Sequence, residues 1–199
     1  MQEGAAAVVW SERSLADTDP LFAAAVDAIG RKLSRVEPLE VADLPADRLG
    51  LQAALDAWAG DDPDTWRREL RRFYEQHLGV YVRPEPDLNA VLRMLAAAGV
   101  ELAVWSPGPA DAVELLLAQL GVARTLRRRC FGGEAELAAL AAELPAPAVA
   151  IVADTGEAAE ATAAGLEPLL AGWREPEATA GVRVIAGPQE LLAGGAAVS

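Results

Sequence analysis

The amino-acid sequence predicts an α/β protein: a doubly wound parallel sheet with an inserted all-helical segment. Three observations carry that reading. Short, continuous apolar runs at residues 5–10, 100–105 and 148–153 have the character of strands covered on both faces. Amphipathic helical stretches lie between the later runs, and several of them end at a glycine. One long helical block, residues 20–78, separates the first apolar run from all the others.

The elements follow in order. After the first strand, Asp17 to Asp19 offer N-caps and Pro20 suits a first helical turn. Leu21, Ala24, Ala25, Ala28, Ile29 and Leu33 then recur at helical spacing. A turn-rich segment at 37–47 precedes helices expected at 49–58 and 64–78. The second of these sits behind Asp61-Asp62-Pro63-Asp64, which places acids at the positive end of the helix dipole. A helix at 88–98 closes at Gly99, a strand follows at 100–105, and a helix at 110–120 closes at Gly121. Residues 125–131 form a short strand and 134–143 a helix, 148–153 a strand, and 157–164 a helix closed by Gly165. Weaker strands at 169–170 and 182–185 and a short helix at 188–192 complete the pattern.

Bulk properties narrow the function. The chain has 199 residues, enough for one substantial core plus a small inserted module. With 52% hydrophobic and 24% charged residues it has a globular composition rather than a disordered one. The formal charge of −13 argues against nucleic acid as a partner, because phosphate binding needs a net basic face. The single cysteine, Cys130, excludes an internal disulfide framework and fits a reducing, cytoplasmic setting. Its neighbours make it a small buried hydrophobe before a reactive thiol. The first apolar run lacks a basic leader and is too short for a signal peptide or membrane span, so no membrane association is expected.

The residues around the strand ends carry a resemblance. Ser11-Glu12-Arg13-Ser14-Leu15-Ala16-Asp17-Thr18 follows the first strand; Trp105-Ser106 ends the second; Ala153-Asp154-Thr155 ends a later one. Arg83-Pro84-Glu85-Pro86-Asp87-Leu88 leads out of the helical block. In this order the segments resemble the motifs of the haloacid dehalogenase (HAD) hydrolase superfamily, in its phosphoglycolate phosphatase and beta-phosphoglucomutase branch. The resemblance implies a Rossmann-like HAD core of residues 1–18 and 80–199, with a helical cap of residues 19–79. In that family the first strand runs into Asp-x-Asp-Gly-Thr-Leu-x-Asp-Thr/Ser, whose first Asp is the nucleophile and second the acid/base.

Here Leu15-Ala16-Asp17-Thr18 matches the end of that motif, but Ser11 aligns with the nucleophile and Arg13 with the acid/base, with one residue deleted before Leu15. A serine needs an activating base, and the only histidine, His77, lies near the end of the helical block. A guanidinium stays charged and cannot deliver a proton. The family's phosphate-neutralising lysine is expected near 131–135, where Gly132-Gly133-Glu134-Ala135 stands; the sole lysine, Lys32, is in the first cap helix. At the fourth motif Asp154 is kept, but the second acid is Ala158, and Glu157 is expected to project about 100° away on its helix. One carboxylate is a weak Mg²⁺ site, so no cofactor is expected. Asp17 and Asp19 are expected at the start of the cap helix, outside the sheet's end.

Of the four degenerate positions, Ser11, Arg13, Ser106 and Asp154, the last three each have two readings. Ser106 either binds an anion at a helix N-terminus or makes a local turn bond. Asp154 either caps its helix, the favoured reading, or retains a cation. Arg13 either holds an anionic ligand with Ser11, Ser106 and Asp154, or pairs internally with Asp154, which is favoured because an unpaired buried charge is costly. Trp10 and Trp105 either line a rebuilt pocket or are core residues, the latter favoured. The basic run from Arg124 to Arg129 is explained by charge protection of an edge strand, or more sharply as a docking patch for an acidic partner. The helix face from Trp66 to Tyr74 reads as solvated with an apolar seam, the favoured reading, or as an interface. The leading functional expectation is a non-catalytic binding, regulatory or scaffold protein, with a protein partner, a second copy or a small anionic ligand. The alternative is an active hydrolase, or another enzyme, using a rebuilt cleft.

Overall fold

A computed structural model describes residues 6–33, 48–59, 62–174 and 181–193. Six parallel strands form one sheet in the order β3-β2-β1-β4-β5-β6: β1 (Ala7–Ser11), β2 (Glu101–Ser106), β3 (Arg128–Phe131), β4 (Ala148–Val152), β5 (Glu167–Ala171) and β6 (Arg183–Ile185). Strand order reverses at β1, between β2 and β4, so the crevice at the carboxyl ends of these three strands is the topological switch point. Residues of β1 are buried throughout, as its apolar run implied.

Three helices form the insertion after a single helical turn, α1 (Glu12–Leu15). They are α2 (Asp19–Lys32), α3 (Arg48–Ala59) and α4 (Pro63–Tyr81). The remaining helices are α5 (Leu88–Ala97), α6 (Ala110–Gln119), α7 (Glu134–Glu143), α8 (Thr155–Ala163) and α9 (Glu190–Ala193). The chain leaves and re-enters the α/β unit through a pair of neighbouring strand-like segments, marked by an antiparallel bridge between Ala16 and Pro84. The turn-rich segment expected at 37–47 lies outside the described residues.

Most element types follow the sequence pattern, with one local correction. Residues 125–127 are not strand: the Thr125 and Leu126 amides both donate to the Val122 carbonyl in a turn, and β3 begins only at Arg128. At the start of α2 Thr18 is the N-cap residue, without a side-chain capping bond of its own, and the Asp17 carboxylate accepts from the Asp19 amide at 3.3 Å, so the expected stretch does supply the cap. The helix ends behave as the glycines imply. Gly99 and Gly121 take φ of 86° and 71°, and the following Val100 and Val122 amides return to the Leu95 and Leu117 carbonyls.

The two sheet faces bury separate clusters. Val8, Trp10 and Val104 join the inserted helices through Leu21, Trp66, Leu70 and Tyr74 in one continuous apolar body with α5 and α6. Trp66, Leu70 and Tyr74 recur every four residues, which is the apolar seam expected on α4. Val9, Trp105, Cys130 and Val152 pack with α7 and α8 on the other face. Burial, and secondarily Glu136, pushes the Cys130 thiol up to about 11, so it behaves as a small hydrophobe. Leu92 on α5 is wholly buried in the larger cluster. Leu92→Ala is expected to cost about 2–5 kcal/mol of stability through lost transfer energy and residual cavity, read by urea unfolding.

Candidate functional site

At the switch point the chain turns immediately. Ser11 ends β1 and caps α1: its hydroxyl oxygen accepts from the Ser14 amide at 3.1 Å, while the Ser14 hydroxyl donates to the Ser11 carbonyl at 2.8 Å. That one-turn helix sends consecutive side chains to different sides. Glu12 is buried toward β2, where it accepts a hydrogen bond from the Ser106 hydroxyl at 2.8 Å. Arg13 points toward β4 and the start of α2.

Arg13 organises the cleft. Its Nε and Nη2 donate to the two carboxylate oxygens of Asp19 at 3.1 and 2.9 Å, the fork geometry peculiar to guanidinium. Its Nη1 donates to Asp154 and lies 3.4 Å from Glu157 Oε1. The Arg13 side chain is only 19% exposed. Burial disfavours its charge, but Asp19, Glu157 and Asp154 together outweigh burial and hold the guanidinium well above its ordinary value. The internal Arg13–Asp154 pair expected from the sequence is present.

Asp154 also caps α8, accepting from the Glu157 amide at 3.0 Å, as the capping reading anticipated. Burial pushes its pKa up, yet the Glu157 amide and Arg13 prevail and hold it below the usual carboxylate range. Both Asp154 oxygens therefore face donors. An Mg²⁺ ion, which the family resemblance implies, does not fit these residues, because a fixed guanidinium already lies against the carboxylate that would ligate it. Among the described residues no group of three His, Cys, Asp or Glu is arranged to hold a metal.

Glu157 does not project away. It is 7% exposed, and its Oε2 accepts from the Ala153 amide at 2.7 Å. The reason lies in where α8 starts. With Asp154 as N-cap, Glu157 is the third helical residue, whose side chain folds back over the helix start. The Asp-x-x-Glu spacing is the capping-box signature and is legible in Asp154 to Glu157. Burial raises the Glu157 pKa; Arg13, Ser11 and the Ala153 amide only partly offset it.

Asp19 is likewise inside the cluster rather than outside the sheet's end, because the α1 turn brings the start of α2 back against Arg13. Asp17 pairs with Arg174 at 2.9 Å, and Trp173 Nε1 donates to the Ser14 carbonyl at 3.0 Å, so the loop after β5 covers α1. Ser106 makes the local turn bond: its oxygen accepts from the Gly108 amide at 3.0 Å. The buried Glu12 had no sequence signal beyond its place after a strand. Trp10 and Trp105 lie on opposite sheet faces and form no common pocket; Trp105 Nε1 donates to the Gly132 carbonyl at 2.9 Å. Lys32 is on α2, bonded to Glu69. Beside the cleft, a cavity of about 570 Å³ opens between α4 and the turn after β2, lined by Arg67, Arg68, Arg71, Gly108 and Gly132. Its arginines are paired, Arg67 with Asp56, Arg68 with Asp62 and Arg71 with Glu75 and Asp111.

The same architecture occurs in solved structures. CbbY from Rhodobacter sphaeroides, in complex with phosphate, superposes with a TM-score of 0.71 at 18% identity over 94% of this chain and 96% of that one. A HAD hydrolase of family IA, variant 3, from Entamoeba histolytica gives a TM-score of 0.66 at 11% identity, covering 92% and 94%. The chain has the HAD fold. A protein of Lactobacillus plantarum described as a phosphoglycolate phosphatase gives 0.69 at 13% identity over 96% and 99%, and the HAD-fold neighbours extend to the beta-phosphoglucomutase type. No protein-family model and no curated protein matches the sequence. No helix among the described residues is long and apolar enough to cross a membrane.

Two predictions follow from the cluster. Arg13→Ala removes the cation shared by Asp154, Glu157 and Asp19, of which Asp19 keeps Arg174 at 3.7 Å. It is expected to cost about 1–3 kcal/mol in denaturant unfolding, below the cost of a fully buried pair because Asp19 and Asp154 are partly solvated. Glu157 binds its proton more tightly folded than unfolded, so stability falls as pH rises above its ordinary value of 4.5. Asp154 acts oppositely, losing stability as pH falls below 3.8. Glu157→Gln is therefore expected to gain on the native protein as pH rises from about 4.5 toward about 7, measured by unfolding at both values.

Proposed function

We propose that this HAD-fold protein carries out no phosphoryl transfer and acts as a binding protein, a regulatory or scaffold subunit. The observation that supports this reading most directly is the Arg13 fork on Asp19 and its bond to Asp154. It places a permanent, tethered cation where the fold's phosphatase chemistry would need carboxylates and a metal. The other positions agree. Ser11 has no histidine beside it, since His77 stacks on Phe73 in α4. Arg13 stays charged and supplies no proton. Ala158 is packed in the apolar cluster of α7 and α8, and Gly132-Gly133 stands where the lysine is expected.

The partners of the cleft are already satisfied internally, which disfavours a small anion at Ser11, Arg13, Ser106 and Asp154 and favours recognition by a protein partner or a second copy through the outer surface. The cytoplasm is the compartment that suits its single buried thiol.

A hydrolase reading has one observation in its favour: Glu157, buried at the start of α8, has its pKa raised by burial, and Ser11 is among the groups acting on it, as beside a general base. Two features oppose it. Glu157 is fixed by the Ala153 amide and by Arg13, and the Ser11 oxygen is engaged by the Ser14 amide. Incubation with an aryl phosphate and Mg²⁺ separates the readings. No turnover above background is expected. Turnover that disappears in Asp154→Ala would refute the non-catalytic reading.

A further inference from the structure

The opposite end of the sheet holds a second arginine-lined cavity, of about 600 Å³, at the amino ends of β2 and β3. Arg93 approaches it from α5, Arg124 and Arg127 from the turn before β3, and Arg128 from the first residue of β3; Val100 and Leu102 supply apolar surface. The only carboxylate in its lining among the described residues, Glu101, is bonded to Arg128, which also pairs with Glu143 at 2.9 Å. Arg93, Arg124 and Arg127 form no ion pair among the described residues. The arginines of the cleft-side cavity, by contrast, are all paired.

Edge-strand protection accounts for Arg128 and Arg129, which lie on β3, the edge strand. It does not account for Arg93 on a helix, or for Arg124 and Arg127 ahead of the strand. These two are not on a loose loop. Leu126 between them is fully buried, the Thr125 and Leu126 amides bond to Val122, and Arg129 ties the turn down through the Ala123 carbonyl at 2.8 Å and Glu114 at 3.1 Å. A pinned turn thus gathers like charges around a concavity on a chain of net charge −13. Their mutual repulsion is relieved by a bound anion.

We propose that this cavity binds a small organic anion carrying two or more phosphate groups. Guanidinium forks match phosphate oxygens, the apolar wall offers a contact for the organic part, and the volume suits a small ligand rather than a folded partner. The site is independent of the Arg13 cluster, so its fate and that of the non-catalytic reading are separable.

Isothermal titration of the full chain at moderate salt, about 0.1 M, with ADP and with inorganic pyrophosphate as probes, tests the proposal. One saturable site is expected, with ADP the tighter probe. The double variant Arg124→Glu/Arg127→Glu, folded by its melting curve, is expected to weaken binding about tenfold or more. The charge-matched Arg68→Glu/Arg71→Glu, at the other cavity, is expected to retain affinity within about threefold at moderate salt. Absence of saturable binding by the native chain, or equal loss in both double variants, would overturn the proposal.

Discussion

The interaction on which the cleft depends is a single guanidinium shared by three carboxylates from two elements. Arg13 grips Asp19 at the start of α2 with two parallel bonds and reaches Asp154 and Glu157 at the start of α8. It therefore ties the insertion to the sheet's carboxyl end. It also explains why β1 ends in an abrupt helical turn, since that turn separates Glu12, aimed at Ser106, from Arg13, aimed at Asp154. The three acids would repel one another in a partly buried space; the fixed cation makes their convergence tolerable. Residual imbalance remains visible at Glu157, whose pKa is raised by burial despite three stabilising contacts.

This arrangement separates fold from reaction. The HAD fold is set by strand order, by the apolar strands of the central sheet and by glycine-closed helices, none of which requires the catalytic carboxylates. The chemistry requires particular groups at three strand ends, and here those ends hold Ser11 with Glu12 and Arg13, Ser106 and Asp154, bonded to one another or to their neighbours. The opposite end of the sheet differs in kind. There, Arg93, Arg124 and Arg127 are gathered without an ion-pair partner among the described residues, whereas at the carboxyl end each charge of the cluster meets an opposite one.

The sequence was legible wherever structure is dictated locally. Continuous apolar strands, helical periodicity, the Gly99 and Gly121 closures and the capping role of Asp154 all follow from short-range rules. So did the Arg13–Asp154 pair, because two charges expected in one cleft have strong reason to meet. What escaped was decided by backbone direction at strand exits. The α1 turn has no periodic signature in four residues, so the burial of Glu12 and the approach of Asp19 could not be read from spacing. A helix beginning at Glu157 would send that side chain away; with Asp154 as N-cap, Glu157 is the third helical residue and folds back to the Ala153 amide, a placement the Asp154-x-x-Glu157 spacing signals. The stretch at 125–127 resembles strand because Thr125 and Arg127 on either side of Leu126 mimic alternation, while the Val122 carbonyl holds it as a turn.

On the proposed function, the Arg13 guanidinium stands in place of a divalent metal beside Asp154. Thermal unfolding in chelator and in millimolar Mg²⁺ tests it most directly. A bound ion at a hundred times its Kd would add about 2.7 kcal/mol of stability. The account predicts no saturable shift in Tm with Mg²⁺. A saturable rise that vanishes in Asp154→Asn would contradict it.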